Sequence, residues 1–158
     1  VTIPKGWPQK VLIPKLSVAA PVEALDLSKH LPQAAPFRWG DVAWYDRGPK
    51  PGDVGHAAVF GHVDSTCCPA VFWKLNQLKA GDIVEAKYKS GNPVKFKVMW
   101  SESYANTKMP IKFLFGRSSQ RAMVLVTCAG VFRGPAKGGY DHKLVVYARM
   151  ILPNGQLG

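Results

Sequence analysis

The apolar runs of this chain are short, and proline or glycine bounds nearly every one of them. Thirteen prolines and 15 glycines are spread over 158 residues. Such punctuation leaves little room for helices of three or four turns. It suits short strands rich in β-branched and aromatic residues. The clearest case is a hairpin. Residues 83–90 and 94–105 alternate apolar and polar side chains on either side of the turn Gly91-Asn92-Pro93. Residues 10–18 and 20–27 alternate in the same way and read as two more short strands. Residues 56–65 open as an apolar strand that closes on Gly61-His62, and residues 121–128 and 143–152 read as the last strands. Residues 36–53, with Gly-Pro and Pro-Gly pairs, read as mostly loop. Val71, Phe72, Leu75 and Leu78 fit one face of a two-turn helix that Ala80-Gly81-Asp82 breaks. Residues 106–120 form a longer connection with one helical turn. Seven or eight strands with little helix predict an all-β barrel or sandwich. The length predicts one domain, residues 1–158, with a sizeable core.

The net charge is +11. A chain this basic is drawn to polyanions such as nucleic acid, anionic lipid or anionic wall polymers. Its lysines are scattered through residues 87–97 and 134–143 and form no single block. No zinc-finger spacing and no aromatic RNA-binding signature accompanies them. The charge therefore reads as a trait of the protein's surroundings, with no nucleic-acid partner expected. No run of about 18 apolar residues is present to span a bilayer as a helix.

Three cysteines are an odd number. Cys67 and Cys68 are adjacent, and adjacent cysteines rarely bond each other because the ring would be strained. No Cys-x-x-Cys pair exists, so a zinc site is not expected. The third thiol ends the run Val124-Leu125-Val126-Thr127-Cys128-Ala129-Gly130. A free cysteine at a strand end is either a small buried hydrophobe or a nucleophile. A thiol nucleophile needs a group that holds a proton near neutral pH, usually histidine. Of the four histidines, His30 lies in a polar loop, His56 opens a strand and His142 precedes one. His62 ends an apolar strand, as Cys128 does. Barrels collect residues from strand ends at one mouth, so His62 and Cys128 are the expected pair.

Taken in order, residues 59–65, 69–84, 125–132 and 144–148 resemble the sortases, thiol transpeptidases of Gram-positive cell surfaces. The lead-in over residues 44–65 resembles the class F branch most, with classes E and D near it. The resemblance covers about residues 10–152 and implies an eight-stranded sortase-type β-barrel with one or two short helices. It implies that Cys128 attacks the Thr–Gly amide of an LPxTG-like sorting signal and forms a thioester. His62 then serves as general acid and afterwards as general base. The acceptor is an amine of a peptidoglycan precursor or a pilin, and hydrolysis is the slow alternative. The family also uses an arginine at the start of the last strand. Class F carries it near the position of Asp141, and other classes carry it where this chain has Lys143. Lysine keeps the charge and loses the planar fork of donors. Lys143 and Arg133 are equal candidates for the role, while Arg149 lies too deep in the strand. The substrate groove maps to residues 103–116, with Met109, Ile111, Phe113 and Leu114 as an apolar pocket for Leu-Pro. Thr127 is expected to hold strand geometry or touch substrate.

The resemblance further implies a monomeric domain at the outer face of the membrane, anchored by an N-terminal helix in the full-length protein. Anionic wall polymers there agree with the basic charge. A bond from Cys67 or Cys68 to Cys128 would switch such an enzyme off. L,D-transpeptidases are also wall-directed thiol enzymes, but their Ser-x-Gly-Cys run is absent here. The alternative is a catalytically weak sortase-fold domain that binds wall polyanions, which needs no reactive thiol.

Overall fold

The computed structural model describes residues 1–25, 35–36 and 38–158. His30 lies outside the described residues. Eight strands close into a barrel: β1 (Lys10–Ile13), β2 (Val18–Leu25), β3 (Val42–Tyr45), β4 (Gly55–Gly61), β5 (Ile83–Lys87), β6 (Val94–Ala105), β7 (Arg121–Phe132) and β8 (Tyr140–Met150). Their order around the barrel is β1-β2-β3-β4-β7-β8-β6-β5. Closure removes free sheet edges, so every strand has two neighbours. The expected eight-stranded barrel is present. One short helix, α1 (Ile111–Phe115), lies in the connection between β6 and β7, where one helical turn was expected.

Two expectations need correction. Residues 36–53 contain a strand as well as loop: Val42–Tyr45 pairs with β2 on one side and β4 on the other. A four-residue strand with three successive buried residues shows too little pattern to stand out among the flanking Gly and Pro. Residues 71–78 form turns with one 3-10 turn at Leu75–Gln77, and no two-turn α-helix. The amides of Ala70, Val71 and Phe72 donate to the carbonyls of Val63, Trp39 and His62, which pins the segment across the barrel end. Its apolar residues Phe72, Leu75 and Leu78 then enter the core without helical geometry.

Apolar side chains sort by strand parity into two clusters. One gathers Val11, Ile13, Val42, Val59, Val84, Phe96, Met123, Leu125, Val146 and Ala148 from every strand but β2, which adds Ala20, and so fills the barrel. The second takes the alternate residues of three adjacent strands: Ala58 and Phe60 of β4, Val124 and Val126 of β7, Val145 and Tyr147 of β8. It is covered by Leu114 of α1, with Met109, Phe115 and Trp100 packed against it. Strands buried on both faces carry near-continuous apolar sequence, which explains why β4, β7 and β8 stand out in the chain. His56 is buried beneath α1, where its Nδ1 donates to the Phe113 carbonyl at 2.8 Å.

Candidate active site

The outward face shared by β4, β7 and β8 continues past its apolar cluster into polar residues. In β7 the series Ala122, Val124, Val126 leads to Cys128. In β8 the series Tyr147, Val145 leads to Lys143. In β4 the series Ala58, Phe60 leads to His62, one residue beyond the strand. Period-two alternation therefore sets all three candidate side chains on one face. Register aligns them along it. β4 and β7 are parallel with Phe60 opposite Val126, and His62 and Cys128 each follow two residues later and line the same cavity. β7 and β8 are antiparallel with Cys128 opposite Lys143.

Contacts follow this register. Lys143 Nζ donates to Cys128 Sγ at 3.1 Å. A cation donating to sulfur stabilises negative charge on it. Cys128 is the free thiol of the chain. Thr127 points to the other face, where its buried hydroxyl donates to the Gly61 carbonyl at 2.7 Å and ties β7 to the end of β4. Gly61 leaves no room for a side chain: a Cβ there would lie 2.5 Å from Cδ2 of the buried Phe72. The glycine before His62 thus follows from the close approach of Phe72.

His62, Thr127, Cys128 and Lys143 line one cavity of about 330 Å³. Its walls are Phe60, Val126, Met109, Ile111, Leu114 and Phe115. Of the residues expected in a substrate pocket, Met109, Ile111 and Leu114 face this cavity. Phe113 does not line it. Its ring packs on His56, Trp100 and Tyr147, because successive helical residues cannot all face one way.

Arg133 is engaged elsewhere. Its Nε donates to Asp141 Oδ2 at 3.3 Å, and its side chain is mostly exposed and off the cavity lining. Asp141 organises the β7–β8 connection. It also accepts from the Val131 amide at 2.8 Å and pairs with His142 Nδ1 at 2.6 Å. These bonds, His142 first, hold its carboxyl below the usual range. Gly130 beside them has φ of +80°, and a Cβ there would collide with the Asp141 carboxylate. Tyr140 donates to Asp64 Oδ2 at 2.5 Å, which links this connection to the segment after His62 and pushes the phenol up to about 12.

Cys67 and Cys68 are bonded to each other, contrary to the expectation from ring strain. The turn at Ser65 accommodates the pair. Its amide donates to the Cys68 carbonyl at 2.7 Å, and its hydroxyl accepts from the Cys68 amide at 3.0 Å. Sequence reasoning missed Trp39, whose ring lies against His62 with centroids 4.3 Å apart. No local pattern marks it. Asn106 and Thr107 also line the cavity; they fall within the expected groove segment 103–116, where nothing singles them out.

The Sortase domain matches residues 11–151, so the chain belongs to the sortase family. No curated protein sequence matches the chain. Among solved structures, sortase C-1 from Actinomyces oris is 21% identical with a TM-score of 0.68, over 90% of this chain and 73% of that one. Sortase A from Corynebacterium diphtheriae is 17% identical with a TM-score of 0.70, over 96% of this chain and 64% of that one. Sortase C of Streptococcus pneumoniae is 16% identical with a TM-score of 0.68, over 96% and 70%. These neighbours share the fold and are class C and class A sortases. Family membership makes the protein a sortase-type cysteine transpeptidase in general, of a family associated with Gram-positive cell surfaces. Among the described residues no helix is long and apolar enough to cross a membrane.

Proposed function

We propose that this sortase cleaves an LPxTG-like sorting signal between Thr and Gly and transfers the acyl group to an amine. The observation that carries the proposal is the Lys143–Cys128 contact in an apolar-walled cavity that His62 also lines. The cavity's aliphatic and aromatic walls suit the Leu and Pro of such a signal. The Cys128 thiolate attacks the Thr carbonyl carbon, forming the S–C bond. The Lys143 ammonium, released from sulfur, donates to the developing oxyanion in the place of the family's arginine. His62 passes its proton to the leaving amine as the C–N bond breaks, which leaves a thioester. An incoming amine loses a proton to His62, attacks the thioester and regenerates the thiolate. No step calls for a metal or cofactor.

The acceptor is a peptidoglycan-precursor amine or a pilin lysine, and S. pneumoniae sortase C acts on pilin substrates. The residue 44–65 lead-in favours class F among the branches. The family's usual arrangement puts the domain on the outer membrane face behind an N-terminal anchor, as a monomer among anionic wall polymers that its +11 charge would bind.

The test is mass spectrometry of an LPxTG peptide with hydroxylamine, beside Cys128→Ala. A hydroxamate on the Thr carbonyl, absent from the variant, is the expected result. No product on this or related motifs, together with a Cys128 inert to thiol reagents, would leave the polyanion-binding domain as the better account.

A further inference from the structure

We infer that Pro36 and Trp39 hold His62 in a single tautomer, with Nε2 protonated, so that Nδ1 is the nitrogen that exchanges protons and Trp39 is a positioning residue for it. The inference rests on the proposed transpeptidation for its catalytic meaning and on geometry alone for the tautomer. His62 Nε2 lies 2.7 Å from the Pro36 carbonyl oxygen. A carbonyl oxygen only accepts, so Nε2 must donate. Neutral imidazole carries one N–H, and this bond fixes it at Nε2. The lone pair is then on Nδ1, and the proton gained when the ring becomes cationic is on Nδ1 as well. Nδ1 makes no hydrogen bond within the described residues. It is left for substrate.

Trp39 fixes the plane of the ring. Its indole meets the imidazole at an interplanar angle of 60° with centroids 4.3 Å apart. His62 lines the cavity and Trp39 does not, so the indole backs the ring from the side away from the cavity. Trp39 is half exposed, so burial does not explain its place. Its main chain does. The Val71 amide donates to the Trp39 carbonyl at 3.2 Å, and the next amide, Phe72, donates to the His62 carbonyl at 2.9 Å. Consecutive amides of one segment grip both residues, and Phe72 is itself buried in the core. Backbone bonds therefore hold the two main chains from which the rings project, and the ring contact and the Pro36 bond set the imidazole between them.

The test is ¹⁵N-histidine labelling of the whole chain and long-range ¹H–¹⁵N correlation at alkaline pH, with His62→Gln to assign the signals. The expected result is a protonated Nε2 and an unprotonated Nδ1 for His62, in the native chain and in Trp39→Phe. In Trp39→Ala the two tautomers should mix. Hydroxamate formation should then fall roughly tenfold in kcat with KM little changed, and Trp39→Phe should recover most of it. An Nδ1-protonated His62, or a Trp39→Ala variant with native tautomer and native kcat, would overturn the inference. The tautomer is read without peptide. A chain that makes no hydroxamate defeats the transpeptidase proposal, while the spectrum still decides which nitrogen is protonated.

Discussion

Lys143 Nζ meets Cys128 Sγ at 3.1 Å because the two residues face each other across β7 and β8. Lys143→Ala should lower kcat/KM for hydroxamate formation roughly 100-fold, the scale of losing one oxyanion donor. Lys143→Arg should keep most of the activity, because the guanidinium restores charge and adds donors. Arg133→Ala should stay within about threefold of the native rate, since its partner is Asp141. Equal losses at Lys143 and Arg133 in the same peptide assay would refute this division of labour.

Gly61→Ala brings a methyl to 2.5 Å from the Phe72 ring. Phe72 is fully buried, so its ring has to shift against core neighbours. The variant should lose about 1–3 kcal/mol of stability, as overpacked cores do. Its midpoint in thermal unfolding should fall accordingly, and turnover with it, because His62 is the next residue. A native melting curve would show that the Phe72 contact is not tight.

Ile111 stands at the cavity wall, about half exposed. Ile111→Asn removes apolar contact with substrate without touching the reacting groups. KM should rise roughly tenfold with kcat nearly unchanged, the pattern of lost uniform binding. A drop confined to kcat would place Ile111 in a different role.

The Asp141 carboxyl is held below its ordinary 3.8 by His142, then by the Val131 amide, with Arg133 adding a further bond. A carboxyl depressed in the folded state contributes stability that is full above its unfolded value. That contribution is lost as pH falls through the lower, folded value. The β7–β8 connection should thus stay ordered through neutral and mildly acidic pH and loosen below about 3.8. The Val131 amide shift, followed by NMR against pH, should titrate with a midpoint under that value and stop titrating in Asp141→Asn. A midpoint at or above 3.8 would contradict the depressed carboxyl.

With Cys67 bonded to Cys68, only Cys128 remains as a thiol. Titration of the unreduced chain should find one thiol, lost in Cys128→Ala, and reduction should reveal the other two. Three thiols before reduction would leave the Ser65 turn without its bond.

How far the sequence alone reveals each feature depends on which interaction decides it. The barrel is legible because alternation and Pro/Gly punctuation are local. The strand at Val42–Tyr45 is not, because its burial on both sides comes from distant partners. The turn after Ala70 misleads for a related reason. Its helical spacing is real, but amide bonds to Trp39, His62 and Val63 outweigh it. His62 and Cys128 can be paired as two strand ends that carry the right chemistry. That they line one cavity depends on a parallel register between strands whose partners, such as Gly61 and Thr127, are 66 residues apart, which no local pattern encodes. The same holds for Lys143 over Arg133. Both are cations near the thiol in sequence, and only the β7–β8 pairing separates them. Phe113 groups with its neighbours Ile111 and Leu114 in the sequence because a five-residue helix is too short to reveal its faces.

The parallel alignment of β4 and β7 divides the labour of the molecule in a way that bears on its history. The groups proposed to react stand on the sheet or at its end, while the apolar walls proposed to meet substrate come largely from the connection carrying α1. Changes to its cavity-facing residues that spare Leu114 and the Phe113 carbonyl leave the pairing of β4 with β7 untouched. A slip of a single residue within β7 would instead turn the thiol into the barrel. Taste can drift freely in such a scaffold, whereas the blade stays where the sheet has set it.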